Sequence, residues 1–358
     1  MIDPLFWQDR KVFLTGHTGF KGGWLSLWLQ SMGAKVYGYA LPPSTKNNFF
    51  TTSNVANGMA ENIFSDVRKP NMLTKAMQRA NPEVVFHLAA QPLVRYSYNY
   101  PVETYEVNVM GTVNLFEAVR KTSNVKAVVN ITTDKCYENR EWVWGYRENE
   151  PMGGFDPYSS SKACAELVTS AYRHSFLEAE GIALASARAG NVIGGGDWAK
   201  DRLIPDFLRY LDEGVTLQIR SPQSIRPWQH VLEPLSGYLI LAERLYTNGQ
   251  GYTEGWNFGS NDEDAQSVHW IVEQLSQISQ ELKMYQHVKW ACDHSAQPHE
   301  AQYLKLDSSK AKNKLNWQTH WSLSTALYKT LEWHQAWKNG DDMRSVSLKQ
   351  IAQYQAES

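Results

Sequence analysis

Residues 11–15, Lys-Val-Phe-Leu-Thr, form a short apolar run of strand type and lead directly into Gly16-His17-Thr18-Gly19-Phe20-Lys21-Gly22. Residues 22–32 then place Trp24, Leu25, Leu27, Trp28 and Leu29 on a broad helical face that Gly33 closes. Few folds put a strand, a turn with glycines three apart and a helix in that immediate succession. Glycine permits the tight turn and close approach of backbone to a ligand, and the N–H groups that open a helix attract a pyrophosphate. All seven residues, Gly16, His17, Thr18, Gly19, Phe20, Lys21 and Gly22, are therefore expected to cradle a dinucleotide. The acid that would hold an adenosine ribose after the second strand is missing, since that stretch reads Tyr39-Ala40-Leu41-Pro42-Pro43-Ser44. The turn alone therefore does not choose between NAD and NADP. Asp66, after the third strand, is expected either to contact adenine, with Val67 beside it, or to cap a helix.

Strand-like runs at 35–41, 62–64, 84–88, 127–132 and 184–189 alternate with helical patterns at 72–79, 102–121 and 159–180. Such alternation implies parallel β-α-β units and an α/β fold, a Rossmann-type doubly wound parallel sheet. Beyond residue 190 the alternation weakens and Gly, Pro, Trp and Asp accumulate in loops. Residues 1–190 are thus expected to form the dinucleotide domain and 191–358 a smaller C-terminal substrate-binding lobe. A strand near Val231 or at 256–258 is expected to return to the first sheet, and 353–358 to be a frayed tail.

Charge argues against several functions. A net charge of -2 with mixed signs excludes a nucleic-acid surface or a polybasic membrane surface. No apolar run approaches the roughly 20 residues that cross a bilayer, and the first residues do not read as a secretory signal. Cys136, Cys164 and Cys292 have neither paired nor metal-type spacing, so a reducing cytosol is expected and no metal site. His87 at the end of the fourth strand is expected to be structural.

Tyr158 and Lys162 lie four residues apart, on one face of a helix. A lysine ammonium there is expected to lower the phenol pKa, so that Tyr158 can take a proton from an alcohol during hydride transfer. Thr133-Asp134-Lys135 adds an acid/base pair that alcohol oxidation alone does not need, which suggests oxidation followed by elimination.

These motifs do not stand alone. His87-Leu88-Ala89-Ala90-Gln91, Asn108-Val109-Met110-Gly111-Thr112, Arg188-Ala189-Gly190-Asn191 and Arg226-Pro227-Trp228-Gln229-His230-Val231 follow in order. Over nearly its full length the chain resembles the extended short-chain dehydrogenase/reductase family, specifically the nucleotide-sugar 4,6-dehydratases. Gly-His-Thr-Gly-Phe-Lys-Gly, Thr-Thr-Asp-Lys-Cys-Tyr and Asn-Val-Ile-Gly-Gly-Gly-Asp-Trp are most similar to its CDP-glucose branch.

The resemblance implies NAD as cofactor, with Leu88, Ala89, Ala90, Asn108, Tyr158 and Lys162 among its contacts. It implies oxidation at C4 of a sugar, loss of water across C5 and C6, and return of the hydride to C6. Thr133 would bond the 4-oxygen and Asp134 would be the acid that expels the 6-hydroxyl. Lys135 stands where relatives commonly carry Glu, and it would be either the C5 base or an electrostatic stabiliser of the enolate. The substrate diphosphate would meet Asn191, Arg202 and Arg226, with Arg188 and Asn257 as weaker candidates and the backbone of Leu217 near the nucleobase. Glu300 and Tyr303 could touch the nucleoside. His17 and Lys21 stand where the wider family usually has small or apolar residues; they are expected either to loosen cofactor retention or, for Lys21, to add an attraction to phosphate. The helices at 102–121 and 159–180 resemble those that pair in a homodimer, with a tetramer left open. A 4,6-dehydratase for a dTDP- or GDP-hexose, a nucleotide-sugar epimerase of the same fold and a non-catalytic dinucleotide sensor are the rival readings.

Overall fold

The structure, a computed structural model, describes residues 2–284, 289–293 and 303–357. Among the described residues there are twelve strands. They are β1 Lys11–Thr15, β2 Lys35–Ala40, β3 Glu61–Phe64, β4 Val84–His87, β5 Ala127–Ile131, β6 Ala183–Ala189, β7 Asn191–Ile193, β8 Leu217–Ile219, β9 Ile225–His230, β10 Gly255–Phe258, β11 Ala265–Ser267 and β12 Trp290–Cys292. Seven of them form one sheet in the order β10-β6-β5-β4-β1-β2-β3, with all six strand pairings parallel. The order reverses between β1 and β4, so the crevice for a ligand opens where those strands end.

Side chains alternate across this sheet. Val12, Leu14, Val84, Phe86 and Val129 enter one apolar cluster, and Phe13, Val85 and Val128 enter another. Strands β4, β5 and β6 are buried along their whole length, as parallel strands covered on both faces must be. A third cluster, including Phe207, Leu211, Ile271, Leu275 and Leu327, supports the smaller lobe. There β9 lies between β7 and β11, while β8 pairs with β12.

The expected returning strand is β10, which adds to the edge of the main sheet beside β6. The alternative at Val231 is corrected: that residue follows β9, which belongs to the separate three-stranded sheet. The helix Leu232–Asn248 also packs on β5 and β6, so the two halves of the chain interleave. The helical stretch at 102–121 contains a π-helical segment, Glu106–Met110, between Pro101–Tyr105 and Gly111–Arg120. That at 159–180 is α-helical over Pro157–Tyr172 and π-helical over Arg173–Leu177.

The tail is also corrected. Met343–Ala356 is a helix, and Tyr354 is fully buried. Its hydroxyl donates to Glu233 at 2.7 Å, and Glu233 also accepts from the Trp321 N–H at 2.8 Å. Burial pushes the Glu233 carboxyl up to about 7. A raised acid favours folding only while protonated, so a stability cost grows as pH rises through about 7. Glu233→Gln is therefore expected to melt about 3 °C above the parent at pH 8 and together with it near pH 5, read by thermal denaturation. A gain confined to the acid side would contradict this account.

Candidate active site

The glycine turn is built for close approach. Gly16 has φ +76°, and a Cβ there would lie 2.6 Å from the Ala89 nitrogen. A Cβ on Gly22 would lie 2.1 Å from the Gly16 carbonyl oxygen. Gly19 caps the helix Phe20–Ser31 without any side-chain bond, leaving its first N–H groups to the turn. The Thr15 hydroxyl accepts from the Leu88 and Ala89 N–H groups at 3.2 Å, which brings the ends of β1 and β4 together. These features fit a dinucleotide with its pyrophosphate at the helix terminus.

The two unusual side chains of the turn point in different directions. His17 is buried, with Nε2 2.7 Å from the Asn62 oxygen and its ring edge on Phe50. Burial pushes it down to about 4, so it is neutral at physiological pH. Lys21 instead faces the catalytic candidates. Burial, with Lys162 and Arg202 beside it, pushes its ammonium down to about 8, while Asp134 acts in the opposite sense. Asp66 is engaged by Arg68, accepting from its N–H at 2.8 Å and its guanidinium at 2.6 Å. Val67 is buried and packs close to Gly111. The thiol Cys136 is fully buried.

Asn108 sits in the π-helical segment. Its side chain accepts from the Gln91 N–H at 2.8 Å and donates to Ser161 at 2.8 Å, tying that segment to the loop after β4 and to the helix Pro157–Tyr172. His87 is buried between Thr15 and Thr112, a structural position. Ala90 lies in the same loop and is half-buried.

Asp156 caps the helix that carries Tyr158 and Lys162, accepting from the Ser159 N–H at 2.9 Å, with Pro157 at its first position. Tyr158, Lys162, Thr133 and Asp134 are all buried. Thr133 donates to Asp134 at 2.9 Å and acts on the Tyr158 phenol in the sense that lowers its pKa. Burial pushes the Asp134 carboxyl up, and its second oxygen has no hydrogen-bond partner among the described residues. Lys135 follows on the same short helical turn, half-buried.

The expectation that Lys162 lowers the Tyr158 pKa is corrected. Burial pushes Tyr158 up to about 12, against a smaller opposing effect of Thr133. The Lys162 ammonium is instead directed at the Ile131 carbonyl, 3.3 Å away, and burial pushes it down to about 8.

The anion-binding candidates divide. Arg202 lies near Tyr158 and Lys21 and is paired with Asp197 at 2.9 Å. Arg226, on β9, is buried and acts on Asp134. Asn191 opens β7 beside β9 and is half-buried. Leu217 opens β8 and is buried in the core of the smaller lobe. Asn257 does not face this group: it is fully buried and bonds Tyr137, the Tyr146 carbonyl and the Asp307 carbonyl. Arg188 is likewise committed, to Glu166 at 2.7 Å. The Tyr303 backbone bridges to Ile225, next to Arg226, and Glu300 lies outside the described residues.

Two groups escaped the sequence reading. Glu166 follows Lys162 by four residues and Tyr158 by eight, so the helical period already placed it on their face. Tyr238, from the helix Leu232–Asn248, is buried near Tyr158 and Asp134, and nothing in its local pattern marked it.

The sequence matches the family model described as GDP-mannose 4,6 dehydratase over residues 13–330. It is 56% identical to a CDP-glucose 4,6-dehydratase of Salmonella typhimurium, covering 99% of this chain and 98% of that one. It is 25% identical to a dTDP-glucose 4,6-dehydratase of Xanthomonas campestris over 94% and 97% of the two chains. Among solved structures, a dTDP-glucose 4,6-dehydratase of Bacillus anthracis in complex with NAD superposes with a TM-score of 0.75 at 21% identity, covering 94% of this chain and 99% of that one. A UDP-glucose 4-epimerase of Thermotoga maritima with UDP-glucose gives 0.78 at 23% identity over 91% and 99%. Those two show the shared fold. The match across most of the chain, and a relative more than half identical along its whole length, establish that this chain belongs to the GDP-mannose 4,6 dehydratase family, within the extended short-chain dehydrogenase/reductases.

Proposed function

We propose that this enzyme converts CDP-D-glucose to CDP-4-keto-6-deoxy-D-glucose with NAD. The full-length likeness to the Salmonella dehydratase carries this reading. The buried grouping of Thr133, Asp134, Tyr158 and Lys162 supports it. Gly16, Gly19 and Gly22 hold the dinucleotide backbone, Lys162 binds its nicotinamide ribose, and Asn108 fixes the loop carrying Leu88, Ala89 and Ala90. Bound NAD supplies a hydride acceptor for C4 and a hydride donor for C6.

Tyr158 takes the proton of the 4-hydroxyl, and Thr133 bonds the 4-oxygen as it becomes a carbonyl. The ketone acidifies C5, from which Lys135 removes a proton. Asp134, whose pKa burial pushes up, delivers its proton to the departing 6-hydroxyl, which leaves as water. Lys135 returns a proton to C5, and the proton gained by Tyr158 balances the one Asp134 gave up. Arg202, Arg226 and Asn191 bind the diphosphate, for which arginine offers paired donors.

The active form is a homodimer in a reducing compartment. Val102, Met110 and Leu167 are 70%, 52% and 60% exposed on the helical stretches expected to pair, an apolar set that a partner copy would cover. Among the described residues no helix is long and apolar enough to cross a membrane.

The deciding assay offers CDP-, dTDP-, UDP- and GDP-hexoses with NAD and measures the 4-keto product. CDP-glucose is expected to be turned over best. A clear preference for another base would reassign the substrate, and no product from any would refute dehydratase activity.

A further inference from the structure

Behind the reacting groups lies a buried ion pair to which the mechanism above gives no role. Arg188 and Glu166 meet at 2.7 Å with side chains only 6% and 5% exposed. Glu166 stands one turn beyond Lys162 on the same helix, and its carboxylate is fully committed. It accepts from Thr132 on one oxygen, and from Ser186 at 2.6 Å and Arg188 on the other. Arg188 donates in addition to the Tyr137 hydroxyl at 2.7 Å and the Glu148 carbonyl at 3.1 Å.

These bonds meet the end of β5 residue by residue. The Ile131 carbonyl accepts from Lys162 and the Thr132 hydroxyl donates to Glu166, while Thr133, next along, acts on the Tyr158 phenol. Two successive residues at the strand end are thus bonded to two successive turns of one helix face, with Tyr158 one turn before them. Asp134 and Lys135 follow at once. On its far side the segment is held by Tyr137, which Arg188 also grips. Two charges buried this deeply are costly unless geometry fixes them, so a role in holding neighbours is a physical reason for their presence.

We infer that Glu166, anchored by Arg188, is a positioning residue for the reaction proposed above: it holds Lys162 and residues 132–134 in register with Tyr158 and supplies the negative field under the Lys162 ammonium. The groups facing that ammonium are Glu166 from its own helix, Cys136 from the turn after β5, Lys21 from the helix Phe20–Ser31 and His87 from the end of β4. Burial drives Lys162 toward the neutral form, and Glu166 is the main group opposing it. Glu166 is itself held below the usual carboxylate range by Arg188 despite its burial.

The inference rests on Tyr158 and Lys162 being the reacting pair, but its test is independent of the substrate assignment. Lysines carrying 13C at Cε are titrated by NMR, with Lys162 assigned by the loss of its signal in Lys162→Met. Glu166→Gln is expected to move the Lys162 midpoint down, and Arg188→Met, which leaves a buried Glu166 without the charge that keeps it ionised, to move it down as well, each by about 0.5–1 pH unit. The kcat–pH profiles on CDP-glucose should move in the same sense, with KM changed less than about threefold. A pair that merely supported the fold would lower activity without moving the Lys162 midpoint. Unmoved or raised midpoints would overturn the inference.

If either single variant fails to fold, Glu166→Gln with Arg188→Met is read instead, because buried pairs tolerate joint neutral replacement. A Lys162 midpoint below the parent's supports the role, and an unchanged one overturns it. A parent that leaves CDP-glucose unreacted would defeat the substrate reading, while the Lys162 titration still decides this one.

Discussion

Tyr158→Phe is expected to lower kcat by about a thousandfold while KM for the nucleotide sugar stays within about threefold. Only the hydroxyl is removed, and the ring that fills this buried position remains. With no group to receive the 4-hydroxyl proton, oxidation at C4 becomes the slow step, and a single-turnover experiment should show little reduced nicotinamide. Because burial pushes Tyr158 up to about 12, the parent rate should climb as pH rises, since the deprotonated phenol is the working form. A Tyr158→Phe enzyme within tenfold of the parent would remove Tyr158 from the role of base.

Asp134→Asn is expected to block a different step. The amide is close in shape to the carboxyl and can still accept the bond from Thr133, so the turn should keep its form. Asparagine has no acidic proton to give a departing hydroxyl, whereas burial keeps the Asp134 carboxyl protonated to higher pH than usual. Overall kcat should fall by about a hundredfold or more, yet oxidation at C4 should continue. The signature is reduced nicotinamide that accumulates and persists, followed by its absorbance after mixing with CDP-glucose. Turnover at the parent rate, or loss of nicotinamide reduction as well, would show that Asp134 is not the acid of the elimination step.

Much of this site was legible in the chain because its parts are local. The glycine spacing, the strand before it and the helix after it are fixed by steric needs within a dozen residues. The returning strand at 256–258 was visible as a short apolar run, whereas Val231 gave a similar signal and went to another sheet. Asn257 and Arg188 were read as anion-binding candidates because amide and guanidinium groups suit phosphate. Burial gave them other partners, Tyr137 and Glu166. The tail looked polar enough to fray, yet the buried Glu233 and Tyr354 pair ties its helix to the core.

By itself the sequence determined the parallel α/β architecture, the dinucleotide turn and the shared helix face of Tyr158 and Lys162, since each follows from the short-range periods of strands and helices. Only the tertiary structure decided which charges lie together. Lys21 reaches the catalytic group from the first helix, Asp134 joins it from the end of β5, and Glu166 finds Arg188 on the adjacent strand. Those encounters depend on the order of the strands in the sheet and on how completely water is excluded between them. Burial then sets the protonation of each group, raising Tyr158 and Asp134 and lowering Lys21 and Lys162.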